Sequence, residues 1–545
     1  MQTLAEPAAS PPRREYAGGA DFDAVVVGAG FAGLHMLHRL RGMGLSVRVL
    51  EAGAGVGGTW YWNRYPGARC DVESVEYSYQ FSAELQQEWE WSERYAAQPE
   101  LLRYANHVAD RFDLRRDIRF DTRVTVAAFD EAANRWAIAT QDGARLSATW
   151  CVMATGCLSV PNEPKFKGTD TFAGPSYHTG RWPHEDVDFT GQRVGIIGTG
   201  SSAVQSIPLI ARQAAHLYVF QRTPSFVVPA RNAPLDPRSR AAVKAEYPAL
   251  RALAKTRRNG LFCETRDVSA MAVGDEERER AFRERWDRGG LCYTGTFNDL
   301  LIDKRANETA ADFLRARIRE VVTDPETAEA LCPRTVVGGK RLCIDTGYFE
   351  TFNRPNVTLI DLNKAALVEI TRDGLIAGGK PYRLDAIVFA IGFDAMTGAL
   401  TRIDIRGTNG ARLSEKWGAG PVTYLGLSIA GFPNLFTITG PGSPSVLTNM
   451  LPTIEQHVEW IADCIGHMRA RNFHRIEATQ QAEDAWVARV NDIAAGTLFP
   501  TCNSWYMGAN IPGKPRVFMP FIGFPHYVEK CNEVAASGYA GFALS

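Results

Sequence analysis

Short apolar runs alternate with longer amphipathic stretches along this chain, and two of the runs lead into glycine-rich turns. Residues 23–27 (DAVVV) and 193–197 (RVGII) are apolar and rich in β-branched side chains, as expected for strands buried in a parallel sheet. The first run enters GAGFAG and the second enters GTGSSA, and each turn precedes a helical pattern and another apolar run. The pattern therefore predicts two α/β units that both open with strand, turn, helix and strand.

The first turn has the spacing of a dinucleotide-binding site. Gly28, Gly30 and Gly33 would allow a tight turn, backbone approach to a pyrophosphate and close helix packing. Glu51 ends the next apolar run, 18 residues after Gly33, where an acid would bind a ribose hydroxyl. This site suits the adenosine half of FAD. The alternative is a tight turn that binds no ligand.

The second turn differs where the first has its acid. Gly198 and Gly200 are followed by Ser201, and Arg222 and Thr223 end the next apolar run. A cation and a hydroxyl at that position suit a 2′-phosphate, so NADPH is predicted here rather than NADH. The alternative is an arginine on a solvated surface.

The rest of the pattern predicts how the two units share the chain. The strand WCVM leads into residues 154–156 (ATG), which could close the first unit, and residues 387–394 (IVFAIGFD) would return to it. Between them lies a charge-rich stretch with helical spacing, whose interleaved signs indicate a solvated face. We predict an α/β fold with two Rossmann-like dinucleotide-binding domains and a helical insertion. The predicted boundaries are a flexible tail (1–20), an FAD-binding domain (21–159 and 391–545), an NADPH-binding domain (160–390) and a helical subdomain (about 232–335).

Composition and charge limit the binding partners and the cell compartment that we expect for this protein. The 545 residues carry a net charge of −1, which gives no field for binding nucleic acid or an anionic membrane. No apolar run approaches the roughly 18 residues that a membrane span needs. Ten cysteines are scattered without a CxxC pair, so reduced, mostly buried thiols and a cytoplasmic location are expected. No metal site is predicted.

One aromatic segment between the two units fits neither a helix nor a strand. It reads F-x-G-x-x-x-H-x-x-x-W-P, through Phe172, Gly174, His178, Trp182 and Pro183. This segment resembles the fingerprint of type I Baeyer–Villiger monooxygenases. Further blocks similar to that family are residues 57–71, 338–357, 431–445 and 504–516, and the resemblance covers residues 20–545. It is greater to the phenylacetone-oxidising members than to the cyclohexanone-oxidising ones.

The resemblance implies an activity and a set of site residues. Such an enzyme uses FAD, NADPH and O2 to insert one oxygen atom beside a ketone carbonyl through a C4a-peroxyflavin, giving an ester or lactone, and often oxidises sulfides as well. By resemblance, Arg341 and Asp71 are catalytic, and His178 couples domain motion or simply satisfies backbone groups. The cofactor residues implied are Gly57, Gly58, Thr59, Trp60, Asp71 and Asp394 for the flavin, and Lys340 and Trp505 for NADP. The pocket residues implied are Ser445, Val446, Leu447 and Met450. Partners are the ketone and O2, and the chain is expected to be a monomer or a weak oligomer.

Other interpretations stay open at this point. The chain could be a related flavin monooxygenase that acts mainly on sulfur or nitrogen. It could be a disulfide reductase, which would need a redox-active cysteine pair near the flavin. It could also be a flavin-binding sensor, which would catalyse no turnover. Individually, Arg341 could be a surface ion-pair partner, Asp71 a turn cap and Trp505 a core aromatic.

Overall fold

The structure, a computed structural model, describes residues 21–515 and 523–545. The predicted tail, residues 1–20, lies outside the described residues. The strands are β1 Phe22–Val27, β2 Val47–Leu50, β3 Ile118–Arg119, β4 Val124–Asp130, β5 Arg135–Thr140, β6 Arg145–Met153, β7 Ser176–His178, β8 Arg193–Ile197, β9 His216–Gln221, β10 Val227–Pro229, β11 Cys343–Asp345, β12 Val357–Asp361, β13 Leu367–Thr371, β14 Gly374–Ala377, β15 Lys380–Arg383, β16 Ala386–Phe389, β17 Asp404–Arg406, β18 Leu435–Thr437, β19 Ile476–Ala478 and β20 Phe542–Leu544. The helices are α1 Phe31–Gly42, α2 Thr59–Trp62, α3 Ala83–Glu88, α4 Gln98–Arg111, α5 Ser201–Gln213, α6 Pro237–Lys255, α7 Asp275–Arg288, α8 Lys304–Val321, α9 Pro325–Leu331, α10 Tyr348–Thr351, α11 Gly398–Thr401, α12 Leu413–Lys416, α13 Met450–Ala470, α14 Gln480–Ala495 and α15 Phe524–Ala536.

The first sheet has eight strands in the order β17-β4-β5-β6-β1-β2-β3, with β18 also paired to β6. Parallel pairing joins β1, β2, β3, β6 and β18. Antiparallel pairing joins β4 to β5 and β5 to β6, so β6 belongs to both the parallel and the antiparallel part of the sheet. The predicted strand at residues 23–27 is β1, and its valines are almost fully buried because both faces of the sheet are covered.

The second sheet has five parallel strands in the order β12-β9-β8-β16-β7. The predicted strand at residues 193–197 is β8, in the middle of this sheet. The predicted α/β architecture with two Rossmann-like sheets is confirmed.

The aromatic fingerprint segment corrects one expectation. Ser176–His178 form the edge strand β7, which pairs in parallel with Ile387–Phe389 of β16. Three residues are too few to show a two-residue alternation of side chains, so the sequence pattern could not reveal this strand.

The charge-rich stretch folds into four helices, α6 to α9, as its spacing predicts. The chain leaves for this insertion after β10 and returns into β11, and these two strands pair in parallel from Val227 with Cys343 to Pro229 with Asp345. The ends of the insertion are therefore held side by side. Lys340 and Arg341 lie directly before β11 and are positioned by this pairing.

The chain crosses between the two sheets twice, and the crossings are hydrogen bonded to each other. The Asn162 amide donates to the Gly392 carbonyl (3.0 Å), and the Asp394 amide donates to the Val160 carbonyl (2.8 Å). Pro161 and Phe393 form an antiparallel bridge between these bonds. We call residues 157–162 and 391–396 the paired crossings.

The expectation that the cysteines are reduced is wrong for one pair. Cys263 and Cys292 form a disulfide with their Cα atoms 5.8 Å apart, and the other eight cysteines are free. The two partners come from the segments after α6 and α7, so their pairing depends on how the insertion folds. Sequence spacing alone could not indicate it.

No helix within residues 21–515 and 523–545 combines the length and the apolar character needed to cross a membrane.

Candidate active site

The first glycine turn is built by close backbone contacts. Gly28 has φ +105°, and a Cβ there would lie 2.6 Å from the Ala154 carbonyl oxygen. At Gly33 a Cβ would lie 1.8 Å from the Gly28 carbonyl oxygen. Only glycine tolerates these approaches, so the roles predicted for the turn and for helix packing have a steric basis here.

Gly30 and Gly58 form a cradle at the start of α1. A Cβ on Gly58 would lie 2.9 Å from the Gly30 Cα atom. Gly30 is also the N-cap of α1 and supplies no side-chain cap, so the first N–H groups of the helix are open to an anion. Thr59 and buried Trp60 follow in α2. These residues fit the pyrophosphate part of FAD.

Glu51 follows β2 and accepts hydrogen bonds from the amides of Ala29 and Gly53, both at 2.7 Å. Burial raises the pKa of this carboxyl, and the hydrogen bonds from the two amides oppose the rise. The predicted ribose acid thus also ties the glycine turn to the end of β2. The sequence did not indicate this second contact.

The second turn repeats this geometry. Gly198 has φ +111°, and its Cβ would lie 2.4 Å from the Ala390 carbonyl oxygen. Gly200 caps α5 without a side chain, and a Cβ there would have no heavy atom within 4 Å. This open space fits a phosphate group, and exposed Ser201 begins the helix.

Two cations lie together beside the second turn. Arg222 is exposed after β9, and its carbonyl accepts a hydrogen bond from the Asn363 side chain (2.6 Å). Burial lowers the pKa of the Lys340 ammonium, and the charge of Arg222 lowers it further. Thr223 lies next to Arg222, and its carbonyl accepts from Thr199 Oγ1 (2.9 Å). Two repelling cations of this kind suit a dianionic 2′-phosphate.

Arg341 and Asp71, 270 residues apart, form a two-pronged ion pair. Arg341 Nε donates to Asp71 Oδ2 (2.5 Å), and Nη2 donates to Asp71 Oδ1 (3.0 Å). Arg341 Nη1 donates to the Val446 carbonyl (2.7 Å). The side chains of Arg341 and Asp71 are 23% and 21% exposed. Burial opposes the charge of the guanidinium, but the Asp71 carboxylate outweighs this and raises the pKa of Arg341.

The segment that carries Asp71 is itself held against the second sheet. Gln205 of α5 accepts a hydrogen bond from the Tyr65 hydroxyl (2.9 Å) and donates one to the Arg69 carbonyl (3.1 Å). The segment that carries Asp71 is therefore bonded to α5, the helix that follows the second glycine turn. The contact between Asp71 and Arg341 is the one that the resemblance implied.

Three of the four predicted pocket residues pack in or against one apolar cluster beside Arg341. Val446 is in this cluster with Met396, and Leu447 and Met450 pack against it. Ser445 is fully buried and donates its hydroxyl hydrogen to the Thr439 carbonyl (3.1 Å). The cluster also contains Cys157, Ala395, Ala494, Phe499 and Tyr506, which sequence reasoning did not select.

Trp505, which belongs to a loop that spans residues 504–515, also packs against this cluster. Its ring lies 4.4 Å from that of Tyr506. Tyr506 is buried, and burial raises the pKa of its phenol although the Arg341 charge lowers it. Lys514 Nζ donates to Asp394 Oδ1 and to the Ala395 carbonyl, both at 2.7 Å. No sequence pattern pointed to Tyr506 or Lys514.

His178 lies where the fingerprint meets the paired crossings. Its Nδ1 accepts from the Gly180 amide (2.9 Å), so Nε2 carries the proton of the neutral ring. Burial, helped by Arg181, lowers the pKa of His178 to about 4. Nε2 is buried against the backbone of Asn162, and its hydrogen bond to that backbone opposes the lowering of the pKa.

The other fingerprint residues hold this segment in place. Trp182 is buried in the core of the second sheet and stacks on Tyr177 (5.2 Å between ring centres). At Gly174 a Cβ would lie 2.5 Å from the Asp385 carbonyl oxygen, and Phe172 packs beside it. Pro183 follows Trp182 and is half-buried.

Comparison with known proteins places this geometry in a family. A Baeyer-Villiger monooxygenase from Pseudooceanicola batsensis is 44% identical over 526 residues, which cover 96% of both chains. The chain belongs to the Baeyer–Villiger monooxygenase family. A Phenazine N-monooxygenase from Lysobacter antibioticus is 43% identical over 96% of this chain and 97% of its own. The broader family described as "Pyridine nucleotide-disulphide oxidoreductase" matches residues 25–252.

Solved Baeyer–Villiger monooxygenase relatives agree with the fold throughout. An oxidised steroid monooxygenase bound to NADP has 53% identity and a TM-score of 0.92, covering 96% of this chain and 99% of its own. The OTEMO enzyme in complex with FAD and NADP has 40% identity and a TM-score of 0.94, covering 96% and 100%. This Baeyer–Villiger monooxygenase family member is therefore a flavoprotein monooxygenase that uses FAD and NADPH, as predicted.

Proposed function

We propose that this protein converts a ketone into an ester or lactone, with Arg341 as the residue that stabilises negative charge on the reacting oxygen. The net reaction consumes the ketone, O2, NADPH and a proton, and yields the ester, water and NADP+. FAD, when bound, supplies the site at which electrons from NADPH reach O2. All other contributions come from side chains and backbone groups of this chain.

One observation carries the role of Arg341. A guanidinium has five N–H groups, and the described contacts use three of them, two on Asp71 and one on the Val446 carbonyl. Two N–H groups therefore remain beside the apolar cluster. A ketone held against that cluster would place its oxygen within reach of a permanent positive charge.

Asp71 orients the guanidinium rather than reacting itself. Its two oxygens engage Nε and Nη2 together, which sets the plane of the fork. The Val446 carbonyl completes this orientation and ties the charge to the wall of the predicted pocket. Ser445, Leu447 and Met450 complete that wall in the proposal, and the low exposure of the cluster would exclude water.

The remaining assignments follow the two turns. We assign residues 21–159 and 391–545 to an FAD unit, because the strands of the first sheet come from residues 22–153, 404–406 and 435–437. We assign residues 160–390 to an NADPH unit, because the strands of the second sheet come from residues 176–389. FAD would be held by Gly28, Gly30, Gly33, Glu51, Gly58, Thr59, Trp60, Asp71 and Asp394. NADPH would be held by Gly198, Gly200, Ser201, Arg222, Thr223, Lys340 and Trp505.

Product analysis with labelled dioxygen tests the proposal. The purified holoenzyme and NADPH are incubated under ¹⁸O₂ with aryl, linear and cyclic ketones, and products are identified by mass spectrometry. An ester or lactone with one heavy oxygen is expected. NADPH consumption that yields only hydrogen peroxide for every ketone would contradict the proposed substrate class.

A second candidate is oxygen transfer to an aromatic nitrogen. The 43% identity to a Phenazine N-monooxygenase supports it. Phenazines therefore belong in the same panel, where an N-oxide without any ester would favour this candidate. Sulfide oxidation, the greater resemblance to phenylacetone-oxidising members and a monomeric state stay predictions, which the same panel and size-exclusion chromatography would examine.

A further inference from the structure

We propose that Lys514 is a positioning residue that fastens the 504–515 loop to the paired crossings, and that this attachment keeps Trp505 and Tyr506 at the site. The proposal rests on the proposed roles of Trp505 and Arg341. It adds a residue that neither the sequence nor the family comparisons assign.

Lys514 makes a specific, largely enclosed contact. Its ammonium donates to Asp394 Oδ1 and to the Ala395 carbonyl at 2.7 Å each, and its side chain is only 13% exposed. The Asp394 side chain is 25% exposed. Ion pairs on open surfaces contribute little because water screens them, whereas a shielded charged hydrogen bond with a second acceptor is stronger. The contact therefore favours one position of the loop.

A second bond from the same loop reaches the same crossing. The Asn510 side-chain amide donates to the Phe393 carbonyl at 2.8 Å. Lys514 and Asn510 thus attach the loop to three consecutive residues, 393–395. This stretch is not free to follow the loop, because the Asp394 amide donates to the Val160 carbonyl and the Met396 amide to the Cys157 carbonyl.

The other end of the loop reaches the catalytic arginine. Tyr506 is 5% exposed, packs in the apolar cluster with Val446 and experiences the charge of Arg341. Trp505 packs against the same cluster. The short helical turn at residues 505–507 contributes little stability of its own, since so few residues form a marginal helix. Its position therefore depends on the packing of Trp505 and Tyr506 together with the attachments at Asn510 and Lys514.

The consequence for the reaction is control of water. With the loop attached, two aromatic side chains cover the side of the cluster next to Arg341. When the attachment is lost, water enters and NADPH oxidation yields hydrogen peroxide in place of ester. Loss of the attachment also weakens the contact of Trp505 with NADPH, so electron delivery continues at the parental rate only when NADPH is saturating.

The experiment compares Lys514→Met with the parent FAD-bound protein. Methionine retains an unbranched apolar stem and removes the charge. Chymotrypsin is used because its cleavage after Trp505, Tyr506 or Met507 does not depend on the replaced lysine, and mass spectrometry locates the cuts. Cleavage at residues 505–507 should be about tenfold faster in Lys514→Met, as expected for loss of one charged hydrogen-bonded contact. The share of NADPH that ends as hydrogen peroxide should rise severalfold, with anaerobic flavin reduction at saturating NADPH within about twofold of the parent.

Two comparisons separate the attachment from a general loss of stability. Lys530→Met removes a lysine whose ammonium lies 3.0 Å from Glu533 on α15, and it should leave cleavage at 505–507 unchanged. Lys514→Arg keeps the charge and should recover most of the protection. In the Lys514→Met background, Asp394→Asn should add little further cleavage, because the two side chains act as one unit.

Parental cleavage in Lys514→Met, or equal acceleration in Lys530→Met, would overturn the proposal. Cleavage needs no ketone, so this result is independent of the proposed reaction. A parent protein that makes no ester but shows the expected cleavage pattern would refute the reaction and leave the attachment intact.

Discussion

Replacing Arg341 by alanine should slow ester formation by about two to three orders of magnitude while leaving electron delivery intact. The two N–H groups that remain after the contacts with Asp71 and Val446 are the donors available to the ketone oxygen. Removal of donors from a developing oxyanion costs about 3–4 kcal/mol, or roughly 10²–10³-fold in rate. We therefore expect the rate of ester formation in Arg341→Ala to fall by about that factor.

The assay separates this effect from damage to the protein. Stopped-flow absorbance under anaerobic conditions measures flavin reduction by NADPH, and mass spectrometry measures ester in aerated samples. Arg341→Lys keeps a positive charge, but an ammonium cannot contact both Asp71 oxygens and the Val446 carbonyl as the planar guanidinium does. Its rate of ester formation should therefore lie between those of the parent and Arg341→Ala. Arg111→Ala is the matched control, because Arg111 also makes a two-pronged contact, with Glu88, but on the helices α3 and α4. Ester formation in Arg341→Ala within threefold of the parent would refute the role given to this residue.

Three further predictions concern the second nucleotide site, a buried acid and the disulfide. Arg222→Ala should raise the KM for NADPH at least about tenfold and the KM for NADH little, since the guanidinium would bind the 2′-phosphate; equal rises in steady-state assays would contradict this. Burial, with Glu73 adding to it, raises the pKa of the Glu76 carboxyl from 4.5 to about 8, so the folded chain retains a proton that the unfolded chain releases. The free energy of unfolding should therefore decrease between about pH 4.5 and 8, by at most about 1.4 kcal/mol per pH unit from this group. Urea unfolding of Glu76→Gln should show a free energy of unfolding that changes less with pH. The same change with pH in Glu76→Gln and the parent would argue against this role of Glu76. Titration of thiols in the unfolded, unreduced protein should find eight, and ten after reduction, because Cys263 and Cys292 are paired; ten in both samples would show the pair to be reduced.

The elements that the sequence predicted best are those set by neighbouring residues. The strands before the two turns and the helices after them depend on apolar runs and glycines within about 30 residues. Gly28 and Gly198 are required by contacts with Ala154 and Ala390, which directly follow β6 and β16. Local chemistry and global fold agree at these positions.

The candidate site itself depends on distant residues. The Arg341–Asp71 pair joins positions 270 apart, and only the family resemblance brought them together. The Val446 carbonyl is a backbone group, which no side-chain pattern can single out. Lys514 stands in an ordinary proline-glycine turn, and its partner Asp394 is 120 residues away. Contacts of this kind are decided by tertiary packing, so periodicity and spacing carry no signal for them.

The paired crossings have a mechanical consequence. Two separate connections would permit the nucleotide units to slide, tilt and twist, whereas two connections bonded along their length resist shear and leave rotation about their common axis. In the proposed assignment Asp71 belongs to the FAD unit and Arg341 to the NADPH unit, so a change in the angle between the units would strain this ion pair. The orientation of the units and the position of the charge presented to the ketone would then be coupled through this ion pair.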